Sequence, residues 1–426
     1  MEPTPVTLAA YGRLVRGNAN FRRLWTAQIV SEIGDWFYTI AVYTLLLQLT
    51  GKAQSVGLAI TLQVLPQALV GPTAGVINDR LRRKKVMITA DLLRAGIVAC
   101  MMLARTAGSI WLIYPLLFFE TVMWGFFEPA RSAVIPTIVR AEDIVVANTL
   151  SATTWSFNMA VGASIGGLAG VLLGRDAVFV LNTLSCLVSA FLIGRMVFHE
   201  PHAADKPPLH WRDLVDFTPV LEGARYVRRD VRLLATVFLK GGIGIMGANW
   251  VIFPIMGSRV FPVTLRGIDP QRSVMLGMSL LMCARGMGAL LGPLASAGWA
   301  GGSGTRMRRG ILVAFLLSAM GYMTLSQVPT LPLAMLAVVF SHAGGSIVWV
   351  FSTTLLQRYT DDQFRGRVFS ADLSFCMLTI AVTSYLASLA VDAGINVRSV
   401  ALATGVAMLI PAGAWLWAQR LWNERT

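Results

Sequence analysis

Charged side chains, histidine and cysteine are all scarce in this sequence of 426 residues. Only 14% of the residues are charged, and there are four histidines and four cysteines. The cysteines stand singly in separate apolar runs, without the spacing of a metal or redox site, at Cys100, Cys186, Cys283 and Cys376. We therefore expect no metal centre, and we expect the cysteines to be small residues of the interior.

Motifs of nucleotide and zinc chemistry are missing as well. The sequence contains no Gly-x-x-x-x-Gly-Lys-Ser/Thr phosphate-binding loop and no His-Glu-x-x-His zinc motif. A chain without the first motif has no phosphate-binding loop of its own with which to drive a pump by ATP. These absences predict that the protein is not an enzyme and that it binds no cofactor.

Apolar residues, in contrast, make up 55% of the chain and give it a mean hydropathy of +0.63. This is far too apolar for a water-soluble domain. A helix needs about 20 apolar residues to cross a bilayer, and twelve windows are long enough. The sequence thus predicts an all-α membrane protein with twelve transmembrane helices. The predicted spans are 24–48, 55–78, 86–106, 110–130, 146–173, 176–197, 233–257, 273–298, 310–327, 331–355, 368–391 and 397–418.

The net charge of +14 raises the question of nucleic acid binding, and the positions of the cations answer it. Of the 36 lysines and arginines, 26 fall on one side of the predicted membrane and seven on the other, while Arg94, Lys240 and Arg285 lie within spans. By the positive-inside rule the rich side is cytoplasmic, and an even number of spans places both termini there. We expect a multi-pass inner-membrane protein that contacts the lipid bilayer and no nucleic acid.

A polar segment with three prolines and a run of charges divides the spans six and six. It predicts an N-terminal six-helix bundle at 1–198, a cytoplasmic linker at 199–231 and a C-terminal six-helix bundle at 232–426. Within the linker, 211–229 could form an amphipathic helix on the membrane surface or a plain solvated helix.

The two halves also resemble each other, as parallel repeats do. Gly71-Pro72-Thr73-Ala74 ends the second span before a basic turn, and Gly292-Pro293-Leu294-Ala295 ends the eighth span before another. The repeat predicts two pseudo-symmetric bundles.

The turn after the second span reads Gly75-Val76-Ile77-Asn78-Asp79-Arg80-Leu81-Arg82-Arg83-Lys84. It resembles the G-x-x-x-D-R-x-G-R-K motif of the major facilitator superfamily, with Arg82 in place of the inner glycine. The fifth span carries Gly162-Ala163-Ser164-Ile165-Gly166-Gly167, which is similar to the antiporter motif G-P-x-x-G-G of that family. Ala163 stands where the motif has proline, and this departure weakens an antiporter assignment. For Gly162, Gly166 and Gly167, close helix packing is as good an interpretation as proton coupling.

Within the superfamily, the stretch Phe21–Gln28 resembles the group of macrolide-efflux and enterobactin-export permeases. The pieces Glu128-Pro129-Ala130-Arg131 and Phe364-Arg365-Gly366-Arg367-Val368 fit that group too. Lysophospholipid transporters share Gly34-Asp35 and Ala147-Asn148. The resemblance implies a transporter of the major facilitator fold.

Physically, the loop after the second span could act as a conformational latch. Asp79 lies at the cytoplasmic end of that span, where it could cap the N-terminus of the eleventh span or pair with Arg365 or Arg367 when the halves close. The other members of the expected latch are Gly75, Arg80, Arg83 and Lys84. The alternative is that Asp79 and its neighbouring cations are only a topology signal in a tight loop.

Charges inside the spans are the candidates for a substrate or proton pathway, because a charge in the membrane is costly and rare. Glu32 and Asp35 are three residues apart in the first span, hence on one face. Two carboxylates held that close disfavour double ionisation, so one could take up and carry a proton. Lys240, at a similar depth in the seventh span, could neutralise Glu32 or Asp35 across the interface between the halves.

Two further candidates, Glu120 and His342, fall near the middle of the fourth and tenth spans. His342 is a second possible proton site, although a histidine hydrogen-bonded to a neighbouring helix is the plainer reading. Arg285 could meet an anionic group of the substrate or serve as a counter-ion to Glu120. Asp91 and Arg94 are expected to form a structural pair near the cytoplasmic end of the third span.

Together these features predict a secondary active transporter that exports an amphipathic small molecule, such as a drug, macrolide or siderophore-like compound, in exchange for protons. The expected mechanism is alternating access by a monomer, with the small molecule and protons as partners. Two alternatives stay open at this point. One is a lysophospholipid transporter or flippase, and the other is a sensor of the same fold that transports nothing.

Overall fold

A computed structural model describes residues 7–200, 218–263, 270–301 and 303–423, and within these ranges the chain is helical, with no β-strand. Three 3-10 turns, at Ile110–Leu112, Ala141–Asp143 and Ile245–Ala248, and a π turn at Met256–Val260 join some of the helices. The helices are α1 (Leu8–Gly17), α2 (Ala19–Thr50), α3 (Ala53–Arg80), α4 (Arg83–Met101), α5 (Ile113–Ile138), α6 (Ile144–Leu173), α7 (Arg175–Gly194), α8 (Thr218–Val227), α9 (Val231–Gly244), α10 (Asn249–Ile255), α11 (Pro270–Ala300), α12 (Gly304–Gln327), α13 (Leu331–Tyr359), α14 (Asp362–Asp392), α15 (Val397–Ala407) and α16 (Leu409–Asn423).

Ten stretches of the described chain are long and apolar enough to cross a membrane. The predicted spans 24–48 and 86–106 are not among them, but they coincide with α2 and α4, which have 32 and 19 residues. At 1.5 Å per residue α2 is about 48 Å long, more than a hydrocarbon core of about 30 Å, and the 19 residues of α4 fall within the range of about 17–25 residues that a span needs. Charged and polar side chains lower their hydropathy. The predicted all-α fold with twelve spans is thus confirmed, with two spans that are markedly polar.

The connection between α6 and α7 shows how a single residue can separate two spans. Gly174 has a φ of +87°, a region that side chains with a Cβ rarely adopt. It ends α6 by donating its N–H to the carbonyl of Gly170 and is followed at once by Arg175, the first residue of α7. The turn therefore needs no loop.

The seventh predicted span, at 233–257, is interrupted rather than continuous. The helix α9 ends at Gly244, the chain makes a 3-10 turn over Ile245–Ala248, and α10 follows from Asn249. Glycines are concentrated around this break, and Pro254 lies inside α10. Because glycine weakens a helix and proline removes a backbone donor, the regular α-helical hydrogen bonding is easily broken here. The break brings Asn249 and Trp250 to the start of a new helix.

The chain forms two compact units. The first comprises Met1–Val42 and Leu69–Asp216, and the second comprises Tyr43–Ala68 and Phe217–Thr426. In the first unit α4 packs against α5 and α7, and in the second α13 packs against α11 and α12. The boundary between the units therefore also passes through α2 and α3. The division at 1–198, 199–231 and 232–426 stays a prediction.

The linker contains one described helix, α8, while residues 201–217 lie outside the described part of the chain. This helix packs on the first turns of α14. Tyr226 stacks on Phe364 with ring centroids 4.3 Å apart, and Glu222 pairs with Arg367 at 2.9 Å. Neither expected setting for this helix, the membrane surface or free solution, included such a protein partner.

Candidate functional site

A buried arginine in α4 organises the charged residues of the first unit. Nε of Arg94 lies 2.9 Å from Oε1 of Glu120, its Nη2 lies 2.5 Å from Oδ1 of Asp35, and its Nη1 lies 3.3 Å from Oδ1 of Asp91. We call these four residues the Arg94 cluster. The side chains of Arg94, Asp91 and Glu120 are almost fully buried, whereas that of Asp35 is 22% exposed. Asp35 is therefore the most exposed member of the cluster.

Two neutral groups of α2 also form hydrogen bonds with the cluster. The hydroxyl of Tyr38 donates to Oε2 of Glu120 over 2.9 Å, and Nη1 of Arg94 donates to the hydroxyl of Ser31 over 3.2 Å. One guanidinium faces three carboxyl groups, so a fully ionised cluster would carry two excess negative charges. Burying unpaired charge is very costly. The three carboxyl groups can therefore bind protons in addition to pairing with Arg94.

Glu32 belongs to a second polar group in the same unit. Its two carboxylate oxygens accept from Gln28 over 2.9 Å and from Asn158 over 2.8 Å. The side chain of Gln28 in turn accepts from Arg131 over 2.9 Å, and Arg131 binds Glu128 through two nitrogens. Arg131 is buried inside α5, which continues to Ile138 instead of ending near 130. The sequence counts Arg131 among the cations of the cytoplasmic side, just after the predicted span 110–130, and that side stays a prediction.

The expected carboxylate pair is therefore divided between two networks. Glu32 binds amides, while Asp35 binds Arg94. Arg94 was predicted only as the local partner of Asp91, and that pair is present, but the residue also binds Asp35 and Glu120 from other helices. The signal that could have shown this was the position of Arg94 within an apolar span, where a charged side chain faces the interior of the bundle and pairs with other charges there.

In the second unit, Lys240 of α9 forms an ion pair with Asp372 of α14, with Nζ 2.6 Å from Oδ2. Both side chains are buried. The ammonium group also lies over the ring of Trp349, 4.3 Å from its centroid. Asp372 was not singled out in the sequence. The expected pairing of Lys240 with Glu32 or Asp35 would join separately described units and stays a prediction.

Arg285 of α11 and His342 of α13 lie in an aromatic setting in the same unit. The guanidinium carbon of Arg285 lies 4.2 Å from the ring centroid of Trp250. The hydroxyl of Tyr322 lies 3.3 Å from Nε2 of His342, and Phe253 meets the imidazole edge-on. This is the hydrogen-bonded arrangement considered for His342 as the alternative to a proton site. Glu120, the suggested counter-ion of Arg285, has Arg94 and Tyr38 as its partners.

A family model for the Major Facilitator Superfamily matches residues 24–371. The chain belongs to this superfamily. It is therefore a multi-pass membrane transporter and not an enzyme.

Curated relatives within the superfamily include exporters. The chain is 26% identical over 386 residues to macrolide efflux protein A of Streptococcus pyogenes, covering 88% of this chain and 90% of that protein. It is also 26% identical over 349 residues to the putative bacilysin exporter BacE of Bacillus subtilis strain 168, covering 81% of this chain and 80% of that protein. The predicted resemblance to the macrolide-efflux group is confirmed.

Solved structures show the same fold at low sequence identity. A POT family transporter in complex with 5-aminolevulinic acid matches with a TM-score of 0.74 and 12% identity, covering 95% of this chain and 96% of that chain. A bacterial homologue of the lysosomal transporter Spinster matches with a TM-score of 0.69 and 13% identity, covering 97% and 98%. The major facilitator fold is therefore confirmed.

The glycine motif of the facilitator's fifth span provides close packing on α2. A Cβ atom at Gly162 would lie 3.0 Å from Cβ of Trp36, and one at Gly166 would lie 2.8 Å from the backbone Cα of Phe37. Gly167 is buried in the same helix. The geometry supports the packing interpretation of Gly162 and Gly166, since only small residues allow helices to approach this closely.

The cations of the facilitator loop motif bind backbone carbonyls of their own unit. Arg83 donates to the carbonyl of Ala133 over 2.9 Å, and Lys84 donates to that of Met196 over 2.7 Å. Gly75 has open space where a side chain would stand, and Arg80 borders a cavity of about 400 Å³ beside the loop. The side chain of Asp79 lies outside the described residues.

The cations expected to meet the loop motif lie in the second unit. Arg367 pairs with Glu222 of α8, and Arg365 donates to the carbonyl of Gln357 over 3.4 Å. The latch between Asp79 and these arginines stays a prediction.

Proposed function

We propose that this facilitator exports an amphipathic small molecule in exchange for protons, by alternating access between its two halves. The observation that carries the proposal is the Arg94 cluster, which buries three carboxyl groups against one arginine and leaves only Asp35 partly exposed. A carboxyl group in this position can take up a proton and release it again while the side chain stays inside the protein.

The cluster also couples proton binding to helix contacts. Asp35 belongs to α2, Arg94 to α4 and Glu120 to α5, so the ion pairs tie three helices together. A proton on Asp35 removes one negative partner from Arg94 and weakens the tie between α2 and α4. Neutralising Asp35 therefore biases the equilibrium between conformations, which is the requirement for coupling in alternating access.

The proposed direction of transport, export, is supported by the names of the relatives, which describe efflux and export. The cation asymmetry of the sequence supports a position in the inner membrane with both termini in the cytoplasm. The residues proposed to form the substrate or proton pathway are Glu32, Asp35, Glu120, Lys240, Arg285 and His342. We propose that the transporter works as a monomer.

Purified protein in liposomes tests the proposal. A fluorescent amphiphilic dye and an internal pH indicator are followed together while a pH gradient is imposed. We expect dye movement against proton movement, and loss of both when a protonophore collapses the gradient. Dye flux that ignores the gradient would contradict proton coupling. A fluorescent lysophospholipid in the same vesicles distinguishes this function from lysophospholipid transport. Transfer of the lysophospholipid without dye flux would indicate a lysophospholipid transporter.

A further inference from the structure

Arg285 is a partly buried cation within a span, and one of its nitrogens is buried without a hydrogen-bonding partner. Nη1 is shielded from solvent and has no acceptor among the described residues. The ring of Trp250 covers one face of the guanidinium, at 4.2 Å from its carbon. A stacked ring satisfies the face of the group, but it accepts none of its in-plane N–H bonds. The Nη1 end of the guanidinium therefore lacks an acceptor among the described residues.

The acidic side chains that the structure describes in the second unit, Asp230 and Asp361 included, are engaged elsewhere. Asp372 pairs with Lys240, and Glu222 pairs with Arg367. Asp392 accepts the backbone N–H groups of Ala53 and Gln54 at the start of α3. Among the described residues of this unit, Arg285 is thus a partly buried cation within a span that has no acid paired with it. Lys240, which is buried, is by contrast paired with Asp372.

Aromatic side chains surround this position. Tyr43 meets Trp250 edge-on, with ring centroids 6.3 Å apart, and both Tyr43 and Tyr322 interact electrostatically with Arg285. His342 lies beside Tyr322 and Phe253. Such rings bind the apolar part of a ligand, while a few polar groups fix its orientation. We call Arg285 with Tyr43, Trp250, Tyr322 and His342 the Arg285 box.

We propose that the Arg285 box binds the anionic group of an amphipathic ligand, a carboxylate or a phosphate, with the rings against its apolar part. A planar guanidinium presents its N–H bonds in a fork that matches two oxygens of either group. Burial strengthens this pairing, because an unpaired cation in the interior is costly and the ligand removes that cost. Taken with the proposed export, on which this step rests, it names the substrate class as amphipathic anions.

Matched ligands that differ only in charge test the inference. The probes are 8-bromooctanoate and (8-bromooctyl)trimethylammonium, whose bromine quenches tryptophan fluorescence on contact. They are titrated into purified protein in nanodiscs of zwitterionic lipid, with empty nanodiscs as the partition blank. We expect saturable quenching with a Kd about tenfold to a hundredfold lower for the anion, as one charged hydrogen-bonded pair provides. Equal affinity for the two probes would overturn the proposal.

Variants assign the preference to Arg285. Arg285→Gln should remove the difference between the probes, whereas Arg285→Lys should keep part of it. Arg306→Gln makes the same change at an exposed arginine of this unit and should leave both affinities unchanged. A folded Arg285→Gln protein that still prefers the anion would contradict the assignment. If that variant does not fold, the comparison of the two probes on the wild-type protein still decides whether the protein prefers the anionic ligand.

Two competition experiments distinguish the possible sources of the anion, and the outcome of the binding assay can be told apart from that of the transport assay. Phosphatidylglycerol in the nanodisc that competes with the bromooctanoate would identify a lipid headgroup as a ligand, and competition by inorganic phosphate would point to a free anion. The binding assay needs no flux. Anion binding without proton-driven dye transport would therefore count only against the proposed function, and proton-driven transport without anion preference only against the Arg285 box.

Discussion

Nζ of Lys240 lies 2.6 Å from Oδ2 of Asp372, in an ion pair that joins α9 to α14 with both side chains buried. The pair lies next to the break in the seventh span, where the backbone has lost regular helical hydrogen bonds. In the first unit, Arg94 similarly ties α4 to α2 and α5. Each unit thus holds its helices together with a buried cation, and the two cations differ in how many carboxyl groups they face.

Removing one partner of the Lys240–Asp372 pair should destabilise the protein more than removing both. Lys240→Met leaves the carboxylate of Asp372 buried and unpaired, at an expected loss of about 3–5 kcal/mol in the free energy of unfolding. The double variant Lys240→Met/Asp372→Leu should recover most of that loss. Thermal unfolding of the purified proteins measures the difference.

The control for this prediction is Glu222→Gln. It breaks the pair with Arg367, whose members are 39% and 43% exposed, so the expected loss is below about 1 kcal/mol. Equal losses in the Lys240→Met and Glu222→Gln variants would show that burial does not set the strength of these pairs.

Asp35→Asn should uncouple transport from protons while the protein still folds. The amide is close in size to the carboxyl group and can accept from Arg94, but it cannot take up a proton in this pH range. We expect the initial rate of gradient-driven dye export to fall about tenfold or more, as for loss of an essential proton-transfer group. Asp176→Asn, the same change at an exposed aspartate of the first unit, is the matched control. An Asp35→Asn protein with full gradient-driven export would remove Asp35 from the mechanism.

Adding a methyl group at Gly166 should loosen the packing of α6 on α2. The new Cβ would lie 2.8 Å from the backbone of Phe37, so one helix must move, at an expected cost of about 1–3 kcal/mol. Gly96→Ala, in α4, meets nothing within 4 Å and should stabilise its helix by about 0.5–1 kcal/mol. Melting temperatures of the two variants should therefore shift in opposite directions, and a shift of the same sign would argue against the packing role.

The predicted orientation can be tested by labelling single cysteines with a membrane-impermeant thiol reagent in intact cells. In a background with the native cysteines replaced by alanine, Gly108→Cys lies in an exposed turn on the predicted outer side and should react. Leu8→Cys and Arg420→Cys, exposed near the two ends of the chain, should react only after the cells are opened. Reaction of either end in intact cells would contradict the cytoplasmic placement of the termini.

The fold follows closely from the amino-acid pattern. Lipid dissolves only long apolar helices whose backbone groups are bonded internally, so hydropathy predicts most spans directly. Hydropathy is least informative for spans that carry the charged residues of the candidate site. The helices α2 and α4 carry Asp35, Asp91 and Arg94 and fall below the hydropathy of a typical span, although they are long enough to cross.

The individual charges of the candidate site were visible in the sequence, but their partners were not. The spacing of Asp91 and Arg94 predicts a local pair, because residues three apart share a helix face. No spacing brings Glu120 or Asp35 to the same guanidinium, since those contacts depend on how α2, α4 and α5 pack. For the same reason Asp372, in a different helix, was missed as the partner of Lys240.

The sequence by itself determined that the chain crosses the membrane as helices and that a few charged residues lie within the spans. Both conclusions depend only on the residues of each segment, and hydropathy along the chain is enough to reach them. Only the tertiary structure decided which of these charges is paired. Arg94 meets three carboxyl groups, Lys240 meets one, and Nη1 of Arg285 has no acceptor among the described residues. Charge compensation depends on distances of a few ångströms between helices that are far apart in the chain, and packing alone sets those distances.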